Sequence, residues 1–279
     1  MAKFFDPPQA KPLLPKEKID SVYKSMRFKV FMGSFLGYAA YYLVRKNLSL
    51  AAPDMIAEGL VDKQGVGIAA SAVSIAYAFS KFIMGTLSDR SDARKFLTVG
   101  LVIASLVMMS VGFLPFSAAN AALNVAMLFV LMLFVGILSG MGWPPCGRMM
   151  AYWFSNNERS FKMSLWNTSH SFGAVLALGL CSYLLHIGLG WRWCFIVPGA
   201  LAALIAVFCS FCVKDSPTEA GVEELEIDGG KKEAESKTPV TSAERRRLVF
   251  GNRVIWLIAF ANFFVYIVRF GFLDWGPTF

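Results

Sequence analysis

Residues 41–47 read YYLVRKN, and residues 265–271 read VYIVRFG. Each stretch places an arginine, Arg45 or Arg269, behind a Tyr-(Leu/Ile)-Val step inside a long apolar block. An ionisable side chain there costs about 2.5–3.5 kcal/mol even on the lenient insertion scale. Arg45 lies sixteen positions beyond Lys29, and Arg269 sixteen beyond Arg253, about 24 Å along a helix from each basic marker. A charge carried twice at equal depth points to a parallel internal repeat, whose halves share a site at their interface near the midplane. Two facing guanidiniums repel, and an anion between them relieves the repulsion. Phosphate suits the pair: it carries roughly −1.5 to −2 charges and takes a bidentate fork from each arginine.

The surroundings set the class. Of 279 residues, 56% are hydrophobic and 16% charged, against about a quarter charged in average soluble domains. A window of about 19 residues finds seven apolar spans, near 29–51, 67–87, 96–116, 123–144, 164–186, 193–213 and 254–275. Each has the roughly 20 residues needed to cross the hydrocarbon. Lys3, Lys11, Lys16, Lys18, Lys24, Arg27 and Lys29 precede or open span 1; Arg90, Arg94 and Lys95 follow span 2; Arg148, Arg159 and Lys162 follow span 4; eight more follow span 6. The opposite connections hold only Lys63 and Arg192, so the N-terminus is expected to be cytoplasmic. The formal charge of +8 is then a signal of topology, with attraction to the headgroups of the lipid bilayer as a by-product. No independent basic domain is left to bind nucleic acid.

The chain divides into a cytoplasmic N-terminal segment (1–28), a six-helix half (29–213), a polar stretch (214–253) and the first helix of a second half (254–279). The polar stretch is expected to be a partly disordered cytoplasmic linker, and its GGKK at 229–232 lacks the spacing of a P-loop. Cys146, Cys181, Cys194, Cys209 and Cys212 sit in or beside apolar blocks and are expected to be reduced. Cys209 and Cys212 have no second pair for a metal or redox centre.

Further polar residues fall inside the spans. Lys81 lies less than two turns from the end of span 2 and either snorkels or serves a site. Lys46 is expected on a different face from Arg45, in a supporting role. Span 5 carries WNTSH, which sets Asn167 and His170 three apart on one helical face; His170 supplies a donor or a switchable charge, or bonds to a neighbouring helix. Tyr38, Tyr42, Tyr77 and Tyr266 add hydroxyls on apolar rings. Gly136 and Gly140 permit close helix contact, and the proline pair in GMGWPPCGR (140–148) is expected to end span 4. No paired carboxylates, metal spacing or nucleophile elbow is present, so neither an enzyme nor a metal or cofactor is expected.

The stretch GTLSDRSDARK (85–95) resembles the cytoplasmic signature of the major facilitator superfamily, with Gly85, Asp89, Arg90, Arg94 and Lys95 as its elements. Together with GYAAYYLVRKN, SIAYAFSKFIMG, SDRSDARKFL, GMGWPPCGRMM and NFFVYIVRFGFLDWGPT, it makes the chain similar to the organophosphate:phosphate antiporters of that superfamily. The resemblance implies an all-α polytopic protein of the bacterial inner membrane that exchanges an organic phosphate for inorganic phosphate. Glycerol-3-phosphate is the expected solute, with hexose phosphate, phosphoglycerate or a receptor role as alternatives. It implies that Arg45 and Arg269 hold the phosphate and that Lys81 and His170 assist, with Tyr38, Tyr42, Tyr266 and Asn167 nearby. Charge contacts of the signature are implied to hold one end of the bundle closed. The family consists of two six-helix halves, so the chain is expected to be truncated and to lack most of a C-terminal half.

Overall fold

The computed structural model describes residues 3–222, 247–248 and 250–275. Most of the expected linker, including GGKK, and the end of the last span lie outside the described residues. The chain forms two units, Met1–Leu225 and Glu226–Phe279, and every regular element among the described residues is helical.

The first unit contains α1 (Lys16–Leu43), α2 (Asn47–Ala57), α3 (Lys63–Ser88), α4 (Ala93–Phe113), α5 (Ala121–Ser139), α6 (Trp143–Trp153), α7 (Asn156–Asn167), α8 (Ser169–His186) and α9 (Trp193–Cys212). The second contains α10 (Arg253–Trp275), whose 23 residues span about 35 Å, enough for a bilayer.

Six spans of the first unit become nine helices because three of them are broken. Span 1 stops at Leu43 and restarts at Asn47, with Val44 at φ −108°, ψ 13° and Lys46 at φ −110°, ψ 2°, in the sparsely allowed bridge region. Span 4 breaks at Gly140–Gly142, where neighbouring side chains occupy the room a Cβ would need. A Cβ on Gly140 would stand 2.1 Å from Ser80 Oγ, and one on Gly142 2.9 Å from the Tyr41 ring. The expected helix end at Pro144–Pro145 is corrected: the prolines sit in the first turn of α6, where a missing N–H leaves no bond unmade. Span 5 begins earlier than expected, at Asn156, because Ser155 and Glu158 form a capping box, and it breaks at Thr168.

Within this unit α3 lies along α5, α4 along α9, and α1 against both α8 and α9. Small residues let the backbones meet: a Cβ on Gly173 of α8 would come 2.2 Å from the Ala39 carbonyl oxygen of α1. At the end away from the basic loops, Asn47 Nδ2 donates to the Cys194 carbonyl at 2.7 Å, Trp191 Nε1 to Glu58 Oε2 at 2.9 Å, and Arg192 Nη1 to the carbonyls of Gly112 and Leu114. All five cysteines are free thiols, four buried and Cys212 half-buried. Phe79, Phe82 and Phe211 point outward, and five stretches among the described residues are long and apolar enough to cross a membrane. Such an apolar exterior is matched to lipid, and the first unit is multi-pass.

Candidate functional site

Tyr38, Tyr42 and Arg45 follow one another at helical spacing up to the break in span 1, and the break holds Arg45 only 8% exposed. Its guanidinium carbon lies 3.7 Å from the ring centroid of Tyr77, on α3, and 5.6 Å from that of Tyr42. Lys81, one turn along α3, sets its ammonium 4.5 Å from the same Tyr77 ring, so this lysine shares a partner with the arginine. Among the described residues no carboxylate lies within ion-pair distance of Arg45 or Lys81. Cation–π contacts contribute about 0.5–2 kcal/mol each, whereas the effective desolvation penalty of a buried ion is several kcal/mol. The rings position the arginine without offsetting its burial, and an anion would complete the site.

The third break contributes His170. Its Nδ1 is hydrogen-bonded to the carbonyl oxygen of Asn167; a carbonyl only accepts, so Nδ1 carries the proton. The ring lies 5.7 Å from that of Tyr42. α7 ends between Asn167 and His170, but Thr168 keeps right-handed helical angles (φ −67°, ψ −16°), and the contact joins two residues three apart. Trp166, which the sequence reading did not single out, is fully buried against Tyr38 with centroids 4.8 Å apart. Its Nε1 and the nearby Ser169 Oγ have no hydrogen-bond partner among the described residues.

In the second unit, Arg269 is half-buried with its guanidinium carbon 5.9 Å from the Tyr266 ring. The tyrosine precedes the arginine by three positions, as Tyr42 precedes Arg45, and the separations are nearly equal. The repeat seen in sequence thus extends to local side-chain geometry.

A second polar centre lies at the basic end of the first unit. Arg148 of α6 donates to the carbonyls of Ser88 and Ser91 and, at 2.7 Å, to Asp215 Oδ1. Asp215 Oδ1 also accepts from the Ala93 N–H at the start of α4, at 3.2 Å. Burial pushes the Asp215 carboxyl above its ordinary pKa, and the Arg148 hydrogen bond and charge oppose that push. Asp92 caps α4, accepting from the N–H groups of Arg94 and Lys95 at 3.0 and 3.2 Å, the placement of negative charge that a helix N-terminus favours. Glu219 ties down the chain after α9 through Lys214 Nζ and the Asp215 N–H, both at 2.9 Å, with Arg94 at 3.6 Å. Of the five signature residues, Arg94 and Lys95 join this lock; Asp89 and Arg90 are exposed, and Gly85 has open space beside it. Asp92, Arg148, Asp215 and Glu219 were missed as functional candidates. The one legible signal was Arg148 just after the proline pair, which had been read as a loop charge.

Known proteins agree with this architecture. The family model for the Major Facilitator Superfamily matches residues 34–279. The glycerol-3-phosphate transporter of Bacillus subtilis (strain 168) is 39% identical over 100% of this chain and 63% of its own length. That of Haemophilus influenzae is 38% identical over 95% of this chain and 58% of its own. The chain therefore spans about three-fifths of the length of these relatives. A crystal structure of a bacterial homolog of the human lysosomal transporter Spinster shares the fold, with a TM-score of 0.68 at 18% identity, over 91% of this chain and 55% of that one.

Proposed function

The chain belongs to the Major Facilitator Superfamily, and we propose that it supplies the first half and the seventh helix of an antiporter in the bacterial inner membrane. Its N-terminus is cytoplasmic, and its cargo is an organic phosphate, glycerol-3-phosphate, exchanged for inorganic phosphate. The observation that carries this reading is the Arg45 guanidinium, buried among tyrosines with no carboxylate beside it. Similarity to two glycerol-3-phosphate transporters along nearly the whole chain supports the choice of solute. Arg269 takes the matching role in the second half on the strength of the repeated Tyr-x-x-Arg arrangement. Lys81 and His170 add charge and a donor, and Tyr38, Tyr42, Tyr266 and Asn167 shape the surroundings. In alternating access a bound dianion offsets the buried cation, while the empty site keeps its charge unpaired and reorients slowly, which favours exchange over leak.

Equilibrium binding of radiolabelled phosphate to the purified chain in nonionic detergent tests the site. Glycerol-3-phosphate should compete and glycerol should not. Binding that is unchanged in Arg45→Lys removes the bidentate clamp, and with it this function.

A further inference from the structure

A groove of about 330 Å³ opens at the basic end of the first unit, lined by Lys24, Arg27, Phe28 and Phe31 of α1, Phe154, and Glu158 and Lys162 of α7. Glu158 is its one acid, and Arg27 pairs with it; among the described residues neither lysine has a carboxylate within ion-pair distance. The Lys162 ammonium lies 5.9 Å from the Phe31 ring, and the Arg27 guanidinium carbon 4.8 Å from that of Phe154. The cations are thus held over an aromatic floor.

The position of the groove gives it a use. Lys24, Phe28, Phe31, Phe35, Tyr38, Tyr42 and Arg45 recur every three or four positions, so one face of α1 runs from the groove to the break that holds Arg45. The distance is about 32 Å. Ring contacts mark the route: Phe31 to Phe35 at 6.3 Å, Phe35 to Phe172 of α8 at 5.9 Å, then Tyr38 on Trp166. Resting on the function proposed above, we propose that the groove is an outer waiting site for a phosphate-bearing solute, inorganic phosphate or a phosphate monoester, on its way to Arg45. A lipid headgroup offers the same phosphate. Its acyl chains, however, would have to follow this face into tyrosine hydroxyls and a buried cation, where hydrocarbon gains nothing. With three cations and one acid in its lining, the groove is net positive, and a cleft of that kind raises the local counter-ion concentration by about tenfold or more, which is what a waiting site does.

Pyridoxal phosphate is a direct probe: its aldehyde condenses with a lysine amine with loss of water, borohydride reduces the imine, and mass spectrometry locates the adduct. On the full 279-residue chain in nonionic detergent, Lys24 and Lys162 should be labelled about tenfold more than Lys29, an exposed lysine on α1 outside the groove. Pyridoxal, which lacks the phosphate, should show no such preference, and millimolar inorganic phosphate should remove it. Arg45→Lys should leave the labelling pattern intact, so a failure of the buried site would appear in the binding assay and not here. Equal labelling of Lys29 would overturn the proposal. So would protection by phosphatidylglycerol without protection by inorganic phosphate, which would assign the groove to lipid.

Discussion

Replacing Arg148 with alanine should destabilise the first unit through the carboxylate left behind. The two side chains are 13% and 8% exposed, so their attraction is little screened. Removing one partner of a buried pair costs about 3–5 kcal/mol; because Asp215 keeps the Ala93 N–H, the lower value, about 3 kcal/mol, applies. Asp215→Asn should cost only about 1–2 kcal/mol, since Arg148 retains the carbonyls of Ser88 and Ser91. The double variant should therefore be more stable than Arg148→Ala alone. The pH dependence has a definite sign. A carboxyl whose folded pKa lies above its unfolded value is protonated first in the folded chain, so stability falls as pH rises through that window. Without Arg148 the window extends upward, the deficit is largest at neutral pH, and it narrows on acidification toward the ordinary carboxylate range. Asp215→Asn removes this dependence. The four buried thiols provide the assay: a thiol-reactive fluorophore reports their exposure during a thermal ramp in mild detergent. A melting temperature for Arg148→Ala equal to wild type, or a deficit that does not change with pH, would refute the account of the lock.

Other perturbations address the site and the packing. Arg45→Lys should weaken phosphate binding at least tenfold, the loss of about one charge-assisted hydrogen bond, read by radioligand binding. Tyr77→Leu should lose affinity several-fold, with cation–π contacts worth about 0.5–2 kcal/mol, and Tyr77→Phe should lose less, because it keeps the ring beside Arg45 and Lys81 and gives up only the hydroxyl's hydrogen bonds to them. Equal losses in the two variants would place the role in the hydroxyl. Gly173→Ala should destabilise by about 1–3 kcal/mol, because its Cβ would meet the Ala39 carbonyl; thermal unfolding measures it.

The all-helical, membrane-spanning class and the repeated Tyr-x-x-Arg were legible because each depends on local hydropathy and on one arginine set at a fixed distance from a basic flank. The breaks were not, since what constrains Gly140 and Gly142 is Ser80 and Tyr41 on other helices, and no window along span 4 contains them. His170 was legible as a polar residue three positions from Asn167, and its ring nitrogen meets the Asn167 carbonyl one turn back. The lock was the hardest to read. Asp92, Arg148 and Asp215 come from three separate connections, and each looks like an ordinary loop charge until the helices bring them together. The familiar signature drew attention to Asp89 and Arg90, while the carboxylate that caps α4 is Asp92, two positions further on.

Arg45 is buried and Arg148 half-buried in the first unit, and their surroundings differ. Arg148 is surrounded by acceptors: two carbonyls and a carboxylate take its two terminal nitrogens, and its Nε has no hydrogen-bond partner among the described residues. Arg45 lies over the rings of Tyr42 and Tyr77, has the Tyr77 hydroxyl as a hydrogen-bond partner, and has no carboxylate within ion-pair distance among the described residues. Non-helical backbone at membrane depth is tolerated where it is enclosed by protein or lines a cavity, and the first break, at Val44 and Lys46, is of that kind; Gly140, Gly142 and Thr168 keep right-handed helical angles. The three interruptions lie beside Arg45, beside Ser80 and Tyr41, and beside His170. A carboxylate placed near Arg45 would make the fold easier to stabilise and would occupy the position an incoming phosphate needs. On the function proposed above, the burial penalty carried by this arginine is the source of its affinity for an anion.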